Sequence, residues 1–234
     1  MLVPLTRNAL EEIIPPIATG SQYSFYWGKW PDLLQRLFIS LIALVATWLL
    51  GILAGSGVDR SIKLIFDIIA GLYWLWGPVL WASVRNGKYR RYSYCGFWQG
   101  QVLDVFITEE LVGEEQTVNK WGELVVIENR ERRINIEVGD EEGFTAITQA
   151  PINRLYRVIK PGQIAEMLIL SKTPELSRID RITDVYFPQH NLWVGEYPYL
   201  RRDIFQEVSQ ELGGHSRYRS SKRGKNPIVR RRRK

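Results

Sequence analysis

Acidic side chains are the residues of this chain best suited to acid–base or metal chemistry, and they occur in two runs. Paired carboxylates can share a proton or hold a divalent cation when a fold brings them together. Neither run has the ligand spacing of a calcium loop, and runs of this kind are typical of solvated loops. We therefore predict no catalytic or metal site in them. The first run comprises Asp104, Glu109, Glu110, Glu114 and Glu115, and the second comprises Asp140, Glu141 and Glu142.

Histidine and cysteine are too scarce for most metal centres. The 234 residues include one cysteine, Cys95, and two histidines, His190 and His215. A single cysteine excludes an internal disulfide and any multi-cysteine metal or iron–sulfur site. No phosphate-binding glycine loop, HExxH or GxSxG sequence occurs. The sequence favours a non-enzymatic protein without a cofactor, and an enzyme whose site leaves no sequence signature stays open as an alternative.

Basic residues are concentrated at the C-terminal end. The net charge is +6, but residues 215–234 carry ten Lys and Arg and no acid, so the rest has a charge of −4 (6 − 10). Such a tail can bind anionic lipid, an acidic protein surface or nucleic acid, or be a disordered solubilising segment. Only Tyr218 offers a ring for base stacking, which makes nucleic acid the least favoured partner. The residues predicted to bind an anionic surface are Arg217, Arg219, Lys222, Arg223, Arg230, Arg231, Arg232 and Arg233.

Three aromatic residues after the apolar segments are predicted to bind a partner protein: Tyr92, Tyr94 and Trp98. Aromatic side chains dominate the binding energy of many interfaces, but in a domain of this size they more often form the core. Both interpretations stay open at this stage.

Two apolar segments, Leu33 to Gly55 and Ile62 to Val84, determine where these groups can lie. At about 1.5 Å per residue, the first can cross a hydrocarbon layer of about 30 Å. The short loop between them predicts an antiparallel transmembrane hairpin, in which Pro78 kinks the second helix near its end. Lys63 and Asp67 have the spacing of an interfacial ion pair. Small residues let membrane helices approach closely, which predicts helix packing at Gly51, Gly55, Gly71 and Gly77.

Flanking charge predicts the orientation of the hairpin. Lys29 and Arg36 precede or begin the first segment, and four basic residues follow the second, whereas the loop has balanced charge. The positive-inside rule then places both termini on the cytoplasmic side. The four residues are Arg85, Lys88, Arg90 and Arg91.

After the hairpin, the sequence changes from apolar runs to alternation. Short alternating segments from residue 101 to residue 195 predict an antiparallel β-rich barrel or sandwich, with a turn at 128–132 and a strand at 154–159. A helix at 198–212 ends at a glycine pair. A short helix at 7–14 is either interfacial or docked on protein. The predicted fold is an α+β membrane protein with an N-terminal interfacial segment (1–32), a two-helix transmembrane hairpin (33–85), a β-rich cytoplasmic domain with a C-terminal helix (88–214) and a disordered basic tail (215–234).

Three stretches carry a resemblance to known proteins: MLVPLTRNALEEIIPPIATG, YWGKWPDLLQRL and YRRYSYCGFWQGQVLDV. They resemble a cyanobacterial membrane-protein family often labelled "phosphate ABC transporter permease", although a permease half normally needs several more spans. In layout the chain is also similar to the photosystem I assembly factor of plastids and cyanobacteria. That similarity implies a thylakoid or plasma membrane location and a role in assembling or stabilising a photosynthetic complex. The expected partners are membrane lipid and a membrane protein complex, and the alternative function is an auxiliary subunit of a transporter.

Overall fold

The computed structural model describes residues 1–28, 30–53, 59–118, 120–122 and 124–213. The chain forms two compact units. The helical unit contains residues 14–91 and the short segment 197–199, and the β unit contains residues 1–13, 92–196 and the chain from Leu200 onward. Residues 1–13, which were expected to be part of a separate interfacial segment, belong to the β unit.

The described residues of the helical unit form four helices: α2 (Gly20–Trp27), α3 (Trp30–Leu53), α4 (Arg60–Gly71) and α5 (Tyr73–Arg90). Within the described residues, α3 is the one continuous helix long and apolar enough to cross a membrane, judged by length and composition. Its 24 residues extend about 36 Å, and its least exposed residues recur on one side. Those residues are Arg36, Ser40, Ala43, Thr47 and Gly51.

The second apolar segment is broken at Leu72 and not at Pro78. Helices α4 and α5 meet there at an angle of 71°, and together they meet the length and composition expected of one span. Pro78 lies inside α5. The main bend therefore precedes Pro78 by six residues, and a kink at Pro78 itself stays a prediction. A straight second span is not what the structure contains.

The β unit is built on one antiparallel sheet of eight strands. The paired order is β4-β3-β2-β5-β7-β8, and β1 pairs with β2 while β6 pairs with β5. The structure thus contains one sheet and not the two-sheet sandwich that was one of the two predicted β folds. The bounds are β1 (Leu2–Leu5), β2 (Tyr94–Val118), β3 (Leu124–Gly139), β4 (Thr145–Pro151), β5 (Ile164–Ser171), β6 (Arg181–Ile182), β7 (Val185–Phe187) and β8 (Leu192–Val194).

Two helices complete the β unit. Helix α1 (Arg7–Ile13) buries Leu10 and Ile13, so it is docked on protein and not interfacial. Helix α6 (Arg202–Val208) continues as a π-helix over Ser209–Gly213, and Phe205 packs against Phe97 of the sheet. Residues 154–158, which were predicted as a strand, form a 3-10 helix capped by Asn153.

Strands β2 and β3 are longer than the sequence predicted. The run 128–132 was expected to be a turn, but it continues β3, because each of its residues pairs with β2. Strand β4 pairs with β3 only from Arg133 to Gly139, and β5 pairs with β2 only from Tyr94 to Gln101. Residues 109–118 and 124–132 therefore form a two-stranded ribbon that extends beyond the rest of the sheet. We call this segment the ribbon.

Candidate functional site

The break between α4 and α5 is stabilised by side chains that satisfy exposed backbone groups. The hydroxyl of Ser40 on α3 accepts a hydrogen bond from the Trp74 backbone N–H at 3.0 Å. The Trp76 indole donates to the carbonyl of Ile69 at 2.9 Å, and the Tyr23 hydroxyl donates to the carbonyl of Leu75 at 3.2 Å. Burying an unpaired backbone group is costly, so these three bonds help to stabilise the turn between the two helices.

A buried guanidinium lies beside this break. Arg36 is 6% exposed, and its Cζ atom lies 5.1 Å from the centre of the Trp27 ring. Trp27 in turn packs edge-on against Trp74, with ring centres 5.9 Å apart. The three side chains and Ser40 form one cluster, which we call the arginine cluster. A cation enclosed by aromatic rings is stabilised by their faces, but it still requires hydrogen-bond acceptors.

A second polar group in the helical unit is fully satisfied. Gln22 and Asn86, both 0% exposed, exchange two amide hydrogen bonds of 2.9 and 3.0 Å. Their remaining donors reach the carbonyls of Pro15 and Pro198. This pair holds the segment 197–199 against α2 and α5, where Arg85 lies 4.3 Å above the Tyr197 ring. Such complete pairing is typical of a structural element.

In the β unit, Trp98 is core and not surface. It is 1% exposed, and its indole N–H donates to the Asp140 carboxylate at 2.7 Å. Burial alone raises the pKa of Asp140, but Trp98, the amides of Phe144 and Glu142 and the amino group of Met1 together hold this pKa below its usual value. The carboxylate is thus a fixed core acceptor, and the prediction of partner contact by Trp98 is replaced by a core role.

The other two predicted partner-binding residues lie nearer the surface. Tyr94 is exposed, and Tyr92 is partly exposed, with its carbonyl accepting a hydrogen bond from Arg7. Cys95, beside them, is buried, and burial raises the pKa of its thiol to about 11. A thiol with this pKa stays protonated near neutral pH and is a poor nucleophile.

The predicted helix-packing glycines have different surroundings. A Cβ atom added at Gly51 would meet the flexible Lys63 side chain at 2.8 Å, and one added at Gly71 would meet Leu44 at 3.5 Å. Both positions thus lie where α3 and α4 pack, without direct backbone contact. Gly77 faces Tyr73 of its own helix, while Gly55 lies outside the described residues. Lys63 lies over α3 and forms no ion pair with Asp67 within the described chain, contrary to expectation.

The ribbon exposes apolar side chains at its far end. Trp121 is 83% exposed and lies in the tight turn beside Gly122, which has a φ of +83°. Val118 pairs with Leu124, and Gln116 pairs with Val126. Because paired residues and alternate residues of a strand lie on the same face, the apolar side chains of Val118, Leu124 and Val126 share one face of the ribbon. Nearer the sheet the ribbon is charged, with ion pairs between Arg132 and Glu109 and between Arg133 and Glu110. The first acidic run of the sequence is therefore a strand and not a solvated loop.

Sequence reasoning missed the arginine cluster, the Gln22–Asn86 pair and the ribbon tip. Trp121-Gly122 between two β-prone runs was a hairpin signal, and the dense glutamates on either side obscured it. Nothing local marks Arg36 or Ser40, because their surroundings come from distant segments. The predicted anionic-surface residues between Arg217 and Arg233 lie outside the described residues.

These features define an α+β protein with one helix suited to crossing a membrane and a large antiparallel sheet that carries an exposed ribbon. Residues 3–221 match a family of unknown function, DUF8619, and the chain belongs to that family. Comparison with curated proteins and with solved structures gave no match.

Proposed function

We propose that this chain is a membrane-anchored accessory protein that assembles or stabilises a membrane protein complex and has no chemistry of its own. The observation that carries the anchoring is the exposed apolar surface of α3. Side chains such as Phe38, Ile42 and Trp48 are more than half exposed along its length. Exposed apolar surface on this scale is stable only when lipid or another protein covers it.

In this proposal, α4 and α5 return the chain through the membrane as a bent second span. Helix α4 alone, with 12 residues, extends only about 18 Å and cannot cross a hydrocarbon layer of about 30 Å. A broken helix is tolerated at membrane depth when other groups of the protein form hydrogen bonds with its free backbone groups. In this proposal, the side chains of Ser40, Trp76 and Tyr23 form those bonds. The basic residues that flank both segments then favour cytoplasmic termini.

The ribbon is the proposed contact with the partner. A two-stranded ribbon is at best marginally stable alone in water, so exposed apolar side chains at its tip favour a bound state. Residues 109–132 contain seven glutamates and three basic residues, a net charge of −4 (3 − 7). Charge complementarity therefore favours a membrane protein that presents an apolar groove with a basic rim. An aromatic residue at the tip is the expected anchor.

Site-specific photo-crosslinking in native membranes tests this function. A photoreactive phenylalanine derivative at Trp121 should give one discrete covalent product with a membrane protein, and Leu124→Glu in the same chain should abolish it. Leu155 is the matched control, because it is 64% exposed, close to the 67% of Leu124, and lies on the 3-10 helix of the same unit. Equal crosslinking from positions 121 and 155 would contradict the proposal.

The identity of the crosslinked protein decides between the two accessory roles. A photosynthetic subunit would support the assembly role that the similarity in layout implies, in a thylakoid or plasma membrane. A multi-span permease with its ATPase would instead support an auxiliary transporter subunit. Crosslinking of the ribbon to lipid alone would remove partner binding from the ribbon.

A further inference from the structure

One nitrogen of the Arg36 guanidinium has no hydrogen-bond acceptor among the residues that the structure describes. Its Nε donates to the Asp32 carbonyl at 3.0 Å, and its Nη2 donates to the Tyr26 carbonyl at 2.8 Å. The third nitrogen, Nη1, is buried and has no partner among the described residues. Buried donors in proteins are nearly always paired, so an unpaired nitrogen on a side chain 94% removed from solvent requires an explanation.

The charge of Arg36 also lacks a counterion. In the part of the chain that the structure describes, no carboxylate lies within the 4.0 Å that defines an ion pair with Arg36. Backbone carbonyls and the Trp27 ring partly stabilise the cation, but they carry no net negative charge. An uncompensated buried charge is strongly destabilising, which favours an anion supplied from outside the chain.

A second unpaired donor belongs to the same cluster. The indole Nε1 of Trp27 is buried and has no partner within the described part of the chain, and it belongs to the ring beneath the Arg36 guanidinium. Two other indoles of the unit are paired, since Trp76 donates to the Ile69 carbonyl and Trp81 donates to the Tyr73 hydroxyl. One charged and one neutral donor in a single cluster match an oxyanion with several acceptor oxygens.

The position of the cluster along α3 selects the kind of anion. Arg36 lies six residues after Trp30, about 9 Å from the start of a helix about 36 Å long. Its donors point back toward the helix start, because Tyr26 and Asp32 both precede it. In a membrane-inserted α3, a side chain that extends in this direction reaches the boundary between hydrocarbon and headgroups.

We propose that Arg36 Nη1 and Trp27 Nε1 bind the phosphate of an anionic phospholipid headgroup, which neutralises the buried guanidinium. This inference rests on the membrane insertion of α3 in the proposed function. The bound lipid fixes α2 against α3 through the Trp27 ring and thereby supports the turn at Leu72. The binding chemistry is that of a phosphate ester, for which free phosphate is the other source.

Native mass spectrometry of the full chain in detergent tests the lipid site. Phosphatidylglycerol, phosphatidylcholine and inorganic phosphate are added separately. We expect one phosphatidylglycerol to be retained, and Arg36→Gln to weaken its binding at least about tenfold. Trp27→Phe keeps the ring and removes one donor, so about a three- to tenfold loss is expected. The matched controls are Trp81→Phe, whose indole already has a partner, and Arg85→Gln, whose Nε donates to the Tyr199 hydroxyl.

Several results would overturn the assignment. Unchanged lipid retention in Trp27→Phe and Arg36→Gln, or equal losses in the two controls, would remove the site. Equal retention of phosphatidylcholine would exclude recognition of a net anionic headgroup. Inorganic phosphate that binds at the cluster and displaces the lipid would assign the site to free phosphate.

Alkaline carbonate extraction tests the membrane anchor separately. A chain that stays in the membrane without retaining lipid refutes only the lipid site, whereas a chain that is extracted refutes both proposals.

Discussion

Trp98 shows how one residue can combine packing with a polar bond. Its ring fills the core beneath the sheet, and its indole N–H reaches the Asp140 carboxylate. Asp140 also accepts hydrogen bonds from the amides of Glu142 and Phe144, so one carboxylate organises the turn between β3 and β4. The second acidic run of the sequence therefore contains an acid with a structural role.

At this scale, Trp98→Phe should destabilise the chain. The change retains most of the ring but leaves the Asp140 carboxylate without one buried donor, for which we expect a loss of about 1–3 kcal/mol. Thermal unfolding of the full chain in detergent measures the difference. Trp193→Phe is the control, because Trp193 is only partly buried in the same unit. An equal loss in both variants would show that packing and not the bond matters.

The pKa of Asp140 gives a second residue-scale prediction. Because this pKa lies below the ordinary value of 3.8 in the folded chain, ionised Asp140 stabilises the fold above about pH 3.8. That contribution is lost as the pH falls through the lower folded pKa. Asp140→Asn should therefore be less stable than the natural chain at pH 7, with a difference that narrows below about pH 3.8. A difference in unfolding temperature that is constant from pH 7 to pH 3 would contradict this expectation.

At the scale of elements, the turn between α4 and α5 depends on one hydroxyl group of α3. Ser40 is 4% exposed and accepts from the Trp74 backbone N–H, which no helical carbonyl is placed to accept. A broken helix is otherwise an unfavourable element in an apolar environment. The geometry of this unit thus follows from contacts between helices and not from the local sequence at the break.

Ser40→Ala should lower the unfolding temperature of the full chain in detergent, because it leaves a buried N–H unsatisfied at a cost of about 1–3 kcal/mol. Ser83→Ala removes a hydroxyl from the same unit and is the matched control. Ser83 only donates to Val79 of its own helix, so its loss should be nearly neutral. Tryptophan fluorescence follows both variants, and equal stability of the two would refute the role of Ser40.

The ribbon is the second element with a predicted effect. Glu110 and Glu131 are paired across it, so residues 111–130 can be replaced by an Asn-Gly turn without changing the register. The described strand pairs of the removed residues, from Leu111–Arg130 to Val118–Leu124, join removed residues to each other, so we expect the stability to change by less than about 1 kcal/mol. Circular dichroism of the purified chain tests this. A large loss of stability would show that the ribbon is part of the folding core, and partner crosslinking would then need another explanation.

At the scale of the whole molecule, the proposed topology makes a prediction about accessibility. Cys95 is buried with a raised pKa, so the natural chain should react slowly with maleimides. In sealed membrane vesicles with the cytoplasmic face outward, Leu155→Cys should react with a membrane-impermeant maleimide. Arg60→Cys, beside the connection between α3 and α4, should react only with a permeant reagent. The opposite pattern would reverse the orientation, and labelling of both positions by the impermeant reagent would exclude the hairpin.

The sequence by itself determined the features that depend on local pattern. A charge-free run of membrane length appears as α3, and alternation of apolar and polar residues appears as an antiparallel sheet with a C-terminal helix. Both the helix and the strands follow from the spacing of apolar residues along the chain, which can be read from residues that are close together in the sequence. The role of the basic tail also comes from composition alone and stays a prediction.

Only the tertiary structure decided where polar groups find partners. Ser40 accepts from Trp74, Arg36 packs on Trp27, and Trp98 donates to Asp140, which is 42 residues away. A short stretch of sequence does not specify which distant residue will pair with a polar side chain. A hydroxyl or guanidinium within an apolar run therefore looks the same in the sequence whether or not the folded chain supplies its hydrogen-bond partner. The ribbon could not be predicted for the same reason. Its charged residues favour an extended strand when the opposite strand supplies residues of opposite charge, and the sequence does not show which residues those are.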